Sequence, residues 1–475
     1  MSNTLPERVV ESLKRKYDTM VTRAPKRKPC NLEGHVSYNP ETKTVEVRDL
    51  ETFDIQDLPD FEVIERLVLH EGVRCIENPE MCVLLDLKSI SLPRSLDTIG
   101  PFGLSCMPFV SFDIPSTIKF LKEGTFAGCL NLEEVNIPDS VEEIGDITFS
   151  LCEKLNSVTL PSNLERIGNR MFEYCYSLEN IVLPDSVQHI DWCAFEGCKS
   201  LKTIKLGDSV LTIGSKAFAV CYSLESFTIP KSVTVISNGL FLGCSALKEI
   251  LYQGRIESIE GEAFAGTGIE SLFLPENITE ISYALYARCA NLKHVSIPSS
   301  VKNIRFSAFE KCESLETIEV PESVVLIEKK TFRNCISLES VTLPDSIYTI
   351  YEETFYGCLK LKQFRFSNNL TVIKKNAFFG CSSIEVVTLP DSVKIIEKSA
   401  FENCTSLKSL VLSNNLEMIE EGAFRGCISL ESITIPESVQ SIYKEAFGNC
   451  TNLRSVYYSS TVKYIHKGAF KGSGM

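Results

Sequence analysis

The chain has 475 residues, of which 44% are apolar and 23% charged, and its formal net charge is −14. This composition excludes a disordered or collagen-like chain and allows a large hydrophobic core. The unusual figure is 19 cysteines. The sequence does not open on an apolar signal segment, and it has no apolar run of about 18 residues that would span a membrane. We therefore expect a soluble cytoplasmic protein with reduced thiols.

Residues 1–30 form a basic arm. They hold eight Lys and Arg against three Asp and Glu, a net charge of +5. Because the whole chain has a net charge of −14, the other 445 residues have a net charge of −19. A capping box at Thr4 and Glu7, followed by apolar residues at helical spacing, predicts a short amphipathic helix and then an extended linker. Nucleic-acid binding is not expected, because a body of this charge repels phosphates.

Two basic clusters in the arm resemble a bipartite nuclear localisation signal. Lys14 and Arg15 are followed, after ten residues, by Lys26, Arg27 and Lys28. Two clusters at a fixed separation on an extended segment suit an acidic import receptor. The clusters thus predict a nuclear import receptor as a partner and the nucleus as a second location. The alternative is an arm that packs against its own acidic body or stays solvated.

Residues 31–60 are expected to form an N-terminal cap. Alternating residues around Val36 and Tyr38, a turn at Asn39-Pro40-Glu41 and a second alternating run up to Val47 predict a β-hairpin. Solenoids need such a cap over their first repeat.

Residues 61–475 are built from a repeat of 23 residues. The repeat is visible in Cys106, Cys129, Cys152, Cys175, Cys198, Cys221, Cys244, Cys289, Cys312, Cys335, Cys358, Cys381, Cys404, Cys427 and Cys450, with Thr267 and Ser473 in the same position of two further units. The unit at Thr267 is one residue short. A column of isoleucines from Ile76 to Ile465, with one leucine, gives about 18 rungs, where a rung is one repeat of the solenoid.

Each rung alternates in a way that predicts a short strand. Counting from the cysteine as position 0, positions 6 and 8 are apolar while 5 and 7 are polar, and Pro at position 9 ends the strand. Position 15 is the Ile column, and Ala and Phe at positions 19 and 20 are expected on one helical turn. Parallel strands about 4.8 Å apart would stack into one long sheet.

Units such as Ala423 to Val439 (AFRGCISLESITIPESV) resemble the BspA-like leucine-rich repeats of bacterial surface proteins and parasitic protists. The resemblance implies an α/β repeat solenoid, a curved right-handed superhelix. Its parallel sheet would line the concave face, and short helical turns or irregular segments would form the convex face. Fold alone does not give function.

The regular cysteines are predicted to be structural. Rungs place neighbouring Cβ atoms about 4.8 Å apart whereas a disulfide needs about 3.8 Å, and paired metal-binding spacings are missing. We expect each S–H group to be buried and to face a backbone carbonyl at the turn into the strand. Asn or Cys fills this position in the resembled family.

We expect neither a metal site nor catalysis. Cys30, Cys75, Cys82 and Cys193 lie outside the column, and a metal site from His70, Cys75 and Cys82 lacks a fourth ligand. The histidines are scattered, and no phosphate-binding loop or nucleophile motif is present, so we predict no cofactor and no enzyme activity.

Partner-binding residues are expected where rungs depart from their own consensus on the concave face. Leu251 and Phe273 replace Ser or Thr at position 7 of adjacent rungs, His294 follows, and Tyr283 is off-pattern nearby. The alternative is an irregularity that only changes curvature. Arg365 and Tyr457 are further candidates on this face. We predict that Leu251→Ala and Phe273→Ala weaken partner binding with little change in thermal stability.

These features favour a non-enzymatic intracellular scaffold that binds another protein along its concave sheet. The alternative is a cell-surface adhesin, which the sequons at Asn277, Asn369, Asn403 and Asn449 nominally favour. The repeat stops in mid-unit at Met475, so the strand from Arg454 to Tyr458 is expected to be an open edge through which copies of the chain associate.

Overall fold

A computed structural model of the chain describes residues 34–58, 63–78 and 84–475. The basic arm with Lys14, Arg15, Lys26, Arg27 and Lys28 lies outside the described residues, as do Cys30 and Cys82. Two compact units are present. The first runs to Val233 and includes Cys244–Ala246 and Leu251–Gly254; the second comprises Thr234–Gly243, Leu247–Ile250 and Arg255–Met475.

Each rung contributes two short strands. The first strands are β2 Thr44–Val47, β4 Arg66–Leu69, β6 Ser89–Ser91, β8 Ser111–Asp113, β10 Glu134–Asn136, β12 Ser157–Thr159, β14 Asn180–Val182, β16 Thr203–Lys205, β18 Ser226–Ile229, β20 Glu249–Tyr252, β22 Ser271–Phe273, β24 His294–Ser296, β26 Thr317–Glu319, β28 Ser340–Thr342, β30 Gln363–Arg365, β32 Val386–Thr388, β34 Ser409–Val411, β36 Ser432–Thr434 and β38 Ser455–Tyr457. The second strands are β3 Thr52–Asp54, β5 Cys75–Glu77, β7 Thr98–Ile99, β9 Phe120–Leu121, β11 Glu143–Ile144, β13 Arg166–Ile167, β15 His189–Ile190, β17 Thr212–Ile213, β19 Val235–Ile236, β21 Ser258–Ile259, β23 Glu280–Ile281, β25 Asn303–Ile304, β27 Leu326–Ile327, β29 Thr349–Ile350, β31 Val372–Ile373, β33 Ile395–Ile396, β35 Met418–Ile419, β37 Ser441–Ile442 and β39 Tyr464–Ile465.

Within each unit, strands of neighbouring rungs pair in parallel and in register in short sheets of two to five strands, rather than in the one long sheet that was expected. In the second unit β26, β28 and β30 form one such ladder, in which Ile318 lies opposite Val341 and Val341 opposite Phe364. The second strands pair in the same way, with the Ile column in line, as in Ile350 and Ile373. Each unit is therefore a parallel β-solenoid of stacked coils, as the period predicted.

The predicted hairpin is present at the beginning of the described residues. β1 Val36–Asn39 pairs antiparallel with β2, and Val36 lies opposite Val47. β2 then pairs in parallel with β4, and β3 with β5. The two-strand rung pattern accordingly begins at Thr44, ahead of the first recognisable sequence repeat.

The expected helical turns are not confirmed, and the described part of the chain is all-β rather than α/β. It contains one 3-10 helix, Ile55–Asp57, and no α-helix. The segment around the Phe at position 20 of the repeat is a series of turns. It contains two left-handed residues four apart, such as Lys330 (φ 61°) and Asn334 (φ 59°). An α-helix cannot pass through such residues, because each breaks its hydrogen-bond pattern.

Backbone N–H groups in this segment alternate between two kinds of acceptor. Phe332 N donates to the Thr354 carbonyl of the next rung at 2.9 Å, whereas Arg333 N donates to the Lys330 carbonyl of its own turn at 3.1 Å. Every second N–H thus ties one rung to the next. This ladder explains why a segment with a helical-looking Ala-Phe pair adopts turns instead.

A column of stacked aromatic rings fills the centre of each unit. In the first unit Phe126, Phe149, Phe172, Phe195 and Phe218 stack with ring centroids 5.3 to 5.6 Å apart. In the second unit the column runs from Phe241 to Phe470, with Tyr286 in one position. These rings are almost fully buried and repeat at every rung.

Fourteen cysteines form the predicted column, and each is bonded to the rung before it. Each thiol donates to the carbonyl of the residue in the Phe position of the preceding rung at 3.0 to 3.4 Å, as Cys381 does to Phe355. The expected S–H to carbonyl contact is confirmed, although the acceptor lies one rung away rather than in the cysteine's own turn. Burial raises the pKa of the Cys404 thiol to about 12.

Cys106 does not belong to this column. Its N–H donates to Ala127 O at 2.8 Å and its φ is 58°, which places it in the left-handed position before the column, and Met107 takes the column position. The rung between Ile99 and Leu121, which are paired, has 22 residues. Cys106 is therefore 23 residues before Cys129 only because its rung is one residue short, and it does not occupy the column position.

Candidate functional site

The rungs present two outward surfaces. The first-strand face comprises the outward side chains of the even-numbered strands. The second-strand face comprises those of the odd-numbered strands and of the two residues after each. The outward positions of the first strands are mostly exposed Ser and Thr, as in β36, where Ser432 and Thr434 flank the buried Ile433. A side chain that departs from this background is a candidate for recognition.

Leu251, Phe273 and His294 are all on first strands. Leu251 is 50% exposed in β20 and belongs to the first unit. The backbone of Phe273 in β22 pairs with Ser296, and its side chain lies outside the described part. His294 is exposed in β24 and lies opposite Ser271, so in the ladder it neighbours position 5 of β22 rather than Phe273.

Arg365 and Tyr457 also lie on the first-strand face, but far from each other along it. Arg365 is exposed in β30 and pairs with Thr342. Tyr457 is 60% exposed in β38. The structure places both where the sequence predicted, without bringing them together.

Three further exposed valines of this face were not predicted from the sequence, and the first of them, Val182 in β14 of the first unit, is 70% exposed. Val386 in β32 is 61% exposed and Val411 in β34 is 51% exposed. Val386 pairs with Ser409 and Val411 with Thr388, so the two valines stand diagonally on neighbouring strands among hydroxyls. A shallow groove of about 410 Å³ runs beside Val411, lined also by Lys408 and Thr434. The signal was available, because valine replaces Ser or Thr at positions 5 and 7.

Tyr283 is a correction to the predicted patch, because it lies on the second-strand face. It is the second residue after β23, and its ring stacks on Phe306 of the next rung at 5.3 Å with an angle of 8°. The neighbouring off-pattern residues Leu285 and Tyr286 are fully buried core residues. The six predicted partner-binding residues therefore do not form a single cluster.

A groove of about 510 Å³ surrounds the Tyr283–Phe306 stack. The Asn238 side-chain amide donates to the Tyr283 hydroxyl and to Gly261 O, both at 2.7 Å. A Cβ on Gly261 would lie 2.3 Å from the Tyr283 ring, so only glycine lets the ring lie over this backbone.

Charged side chains complete the groove. Arg305 bridges Glu280 at 2.5 Å and Glu328 at 3.0 Å, and these two hydrogen-bonded carboxylates raise the pKa of the Arg305 guanidinium. Glu328 also accepts from Phe306 N at 2.9 Å, and Glu260 from Asn238 N at 2.7 Å.

The described histidines have separate partners. His70 lies 3.4 Å from Glu46, His189 lies 2.8 Å from Thr212, and His466 Nδ1 accepts from Gly468 N at 3.0 Å. Within residues 34–58, 63–78 and 84–475, no group of three or more His, Cys, Asp or Glu is arranged to hold a metal ion. No helix in these ranges is long and apolar enough to cross a membrane.

The asparagines of the four sequons occupy repeat positions in which asparagine has a structural role. The side-chain amides of Asn277 and Asn369 donate to carbonyls of the preceding rung at 2.6 and 2.9 Å. Asn403 and Asn449 are left-handed residues, with φ of 61° and 56°, directly before column cysteines. Turn and ladder geometry thus accounts for all four asparagines.

Solved structures that are similar to this chain include bacterial leucine-rich repeat proteins. A leucine-rich repeat protein from Bacteroides ovatus is 24% identical, covering 92% of this chain and 91% of that chain with a TM-score of 0.47. A leucine rich cell surface protein from Faecalibacterium prausnitzii is 22% identical, covering 92% and 96%, with a TM-score of 0.43. The leucine-rich repeat protein of T. pallidum is 25% identical, covering 50% and 89%, with a TM-score of 0.30. No functionally curated protein matches the sequence.

The repeat itself matches a family model. The model is described as a BspA type Leucine rich repeat region of 6 copies, and it matches residues 62–179, 165–293, 279–404 and 372–475. These matches span the solenoid almost from its first rung to Met475. The chain therefore belongs to the BspA type leucine-rich repeat family.

Proposed function

We propose that the protein is a non-enzymatic scaffold that binds another protein through its first-strand face. The observation that carries the proposal is the pair of exposed valines, Val386 and Val411, which stand on neighbouring strands and pair there with Ser409 and Thr388. Stacked repeats with an extended sheet are used for protein binding in general.

The energetics agree with this role. Removing an exposed valine side chain from water is favourable. Full burial by a partner contributes about 1.5–3 kcal/mol to the binding free energy, and a side chain that is already partly buried contributes proportionally less. The surrounding Ser and Thr side chains are suited to a polar rim that hydrogen-bonds across an interface. His294, Arg365 and Tyr457 lie on the first-strand face of the same unit, so we include them in the proposed contact surface, and Leu251 is a separate candidate on the first-strand face of the first unit.

The test combines Val386→Asp with Val411→Asp and uses proximity labelling in the native cell. A buried carboxylate at each site would remove the interface, so we expect the partner's labelling to fall at least ten-fold. Val325→Asp is the matched control, because Val325 is 56% exposed in the same unit but lies beside a second strand. Equal labelling by the double variant and the control would refute the proposed face, provided that both melt at the wild-type temperature.

We further propose that the protein works inside the cell, in the cytoplasm and, through an import receptor bound to the basic arm, in the nucleus. A fluorescent fusion should lose nuclear signal when Lys26→Ala and Arg27→Ala are combined. A fusion that is cytosolic in both forms contradicts the import role, and labelling of external proteins would favour the adhesin.

Self-association through β38, where Tyr457 and Tyr458 are 60% and 55% exposed, is a separate proposal that a monomeric scattering profile at high concentration would remove.

A further inference from the structure

We propose that the groove around Tyr283 and Phe306 binds an arginine or lysine side chain from a basic segment of a partner protein. We call the two stacked rings the aromatic shelf. The shelf lies on the second-strand face, so this site is distinct from the first-strand face of the proposed function and does not depend on it.

The first argument comes from two rings elsewhere in the solenoid that hold a cation over one face. The Arg170 guanidinium lies 4.2 Å from the ring centroid of Trp192, and the Lys199 ammonium lies 3.9 Å from that of Tyr176. In each case the cation and the ring come from neighbouring rungs. Trp192 is the closest comparison, because it occupies the same repeat position as Tyr283 and Phe306, two residues after the isoleucine of the second strand.

The aromatic shelf has no such cation in the described part of the chain. Tyr283 is 37% exposed and Phe306 42% exposed. Arg305, which lines the groove, directs its guanidinium to Glu280 and Glu328 instead. The rings therefore present the surface that a cation covers elsewhere in this molecule, and they present it to solvent.

The second argument is the charge of the groove. Its lining holds the three carboxylates Glu260, Glu280 and Glu328 against the single guanidinium of Arg305, a net charge of −2. An anionic ligand would be repelled, and a neutral aromatic ligand would desolvate the carboxylates without compensation. A guanidinium or ammonium group satisfies both features, because it can lie on a ring and pair with a carboxylate. The net charge of −19 outside the arm attracts basic partners in the same direction.

The third argument is that the shelf is built by specific residues. Tyr283 can lie flat only because Gly261 has no side chain, and Asn238 fixes its hydroxyl. Glu328 holds the backbone N–H of Phe306, so one of the carboxylates of the groove is anchored beside the outer ring of the stack. An incoming cation would thus meet a preorganised ring and a nearby acceptor.

The probe for the test is a fluorescein-labelled, capped heptapeptide of alternating Gly and Arg, whose binding is followed by fluorescence anisotropy at low ionic strength. The matched control peptide has citrulline in place of Arg, which keeps the shape and removes the charge. We expect saturable binding of the Arg peptide and at least ten-fold weaker binding of the citrulline peptide. Equal binding of the two peptides would overturn the proposal.

Protein variants locate the binding. Phe306→Ala should weaken binding of the Arg peptide about five-fold or more, and Glu260→Gln about three-fold. Trp192→Ala is the control and should have no effect, because Trp192 lies outside this groove and Arg170 already lies over one face of its ring. Lys329 is exposed and occupies the repeat position of Phe306 in the next rung. Lys329→Gln removes this positive charge and should tighten binding about two-fold.

Two outcomes decide against the site. Binding to Phe306→Ala at wild-type strength, with an unchanged melting temperature, would overturn it. Loss of peptide binding in the Val386→Asp and Val411→Asp variant, with Phe306→Ala unaffected, would place the basic peptide on the first-strand face and would leave the proposed function standing without this site.

Discussion

At the scale of single residues, the turn segments impose a conformation that most side chains avoid. Each typical rung has two left-handed residues, and the second of them directly precedes the column cysteine. Glycine takes this position in several rungs, for example Gly380 with a φ of 72°. Val220 takes it with a φ of 61°, although a β-branched side chain is strongly disfavoured there.

We predict that Val220→Gly stabilises the protein. The half-buried valine loses little contact, and the left-handed backbone no longer carries the cost of a β-branched side chain, so the free energy of unfolding should rise by about 0.5–1 kcal/mol. Gly380→Val is the reciprocal variant in the same repeat position. A Cβ at Gly380 has no atom nearer than 4.0 Å, so its predicted loss of about 1–2 kcal/mol would come from the backbone alone.

Chemical denaturation followed by circular dichroism measures both variants. The sign is the test, since a side-chain packing account predicts that the larger residue is better in both places. A stabilised Gly380→Val protein would therefore contradict the strain argument.

At the scale of elements, the sequence predicted the strands but not the turns, for a physical reason. Strands can be predicted from alternating apolar and polar residues, because successive side chains point to opposite faces. In β36 the buried Ile433 lies between the exposed Ser432 and Thr434. The left-handed positions hold Gly, Asn, Lys, Ser, Glu and Val in different rungs, so no residue type marks them. The Ala-Phe pair predicts a helical turn, but two adjacent buried residues do not distinguish a turn ladder from a helix.

The short rungs share one structural solution. Between paired Ile99 and Leu121 the column position holds Met107, and in the rung that follows Ile259 it holds Thr267. Both rungs lack one residue between the column position and the next buried residue, which is Phe109 in one and Ile269 in the other. Thr267 donates its hydroxyl to Phe264 O in its own rung at 2.8 Å, unlike the cysteines. The shortened turn thus coincides with loss of the inter-rung thiol bond.

The candidate sites illustrate the same limit. Val386 and Val411 could have been found from the sequence, because they break a Ser and Thr column. The sequence marks Tyr283 as off-pattern but does not give its face, because it does not show that the residues after the second strand point outward. The aromatic shelf depends on Gly261 and Asn238 from preceding rungs, and such a contact across rungs appears only in three dimensions.

At the scale of the whole molecule, the cysteine column couples folding to alkaline pH. Of the described cysteines, sixteen are buried and Cys75 is partly exposed. Burial raises the pKa of the Cys404 and Cys450 thiols to about 12, and it raises the pKa of most other column thiols as well. Unfolded thiols titrate near pH 8.5. The folded and unfolded chains therefore hold different numbers of protons above that pH.

The sign follows from proton linkage. A thiol whose folded pKa is raised contributes stability that is fully present below about pH 8.5 and is lost as pH rises toward the folded pKa. Above pH 8.5 each thiol with a raised folded pKa in the unfolding unit lowers the free energy of unfolding by about 1.4 kcal/mol per pH unit. Because rungs repeat the same thiol, these small terms add along the column. We predict a melting temperature that is constant between about pH 7 and 8 and falls steeply between about pH 8.5 and 9.5.

Calorimetry under reducing conditions measures this profile, and the upper limit near pH 9.5 keeps lysine ion pairs intact. Replacing Cys404 and Cys427 with Ser removes two titrating groups from one stretch of the column, so the alkaline fall should become shallower even though the variant melts lower at pH 7. A wild-type melting temperature that stays level up to pH 9.5 would contradict the prediction, because it would mean that the column thiols reach solvent and ionise without unfolding. The repeated column cysteine is thus a small, well-packed group at neutral pH that lowers the stability of the folded chain at alkaline pH.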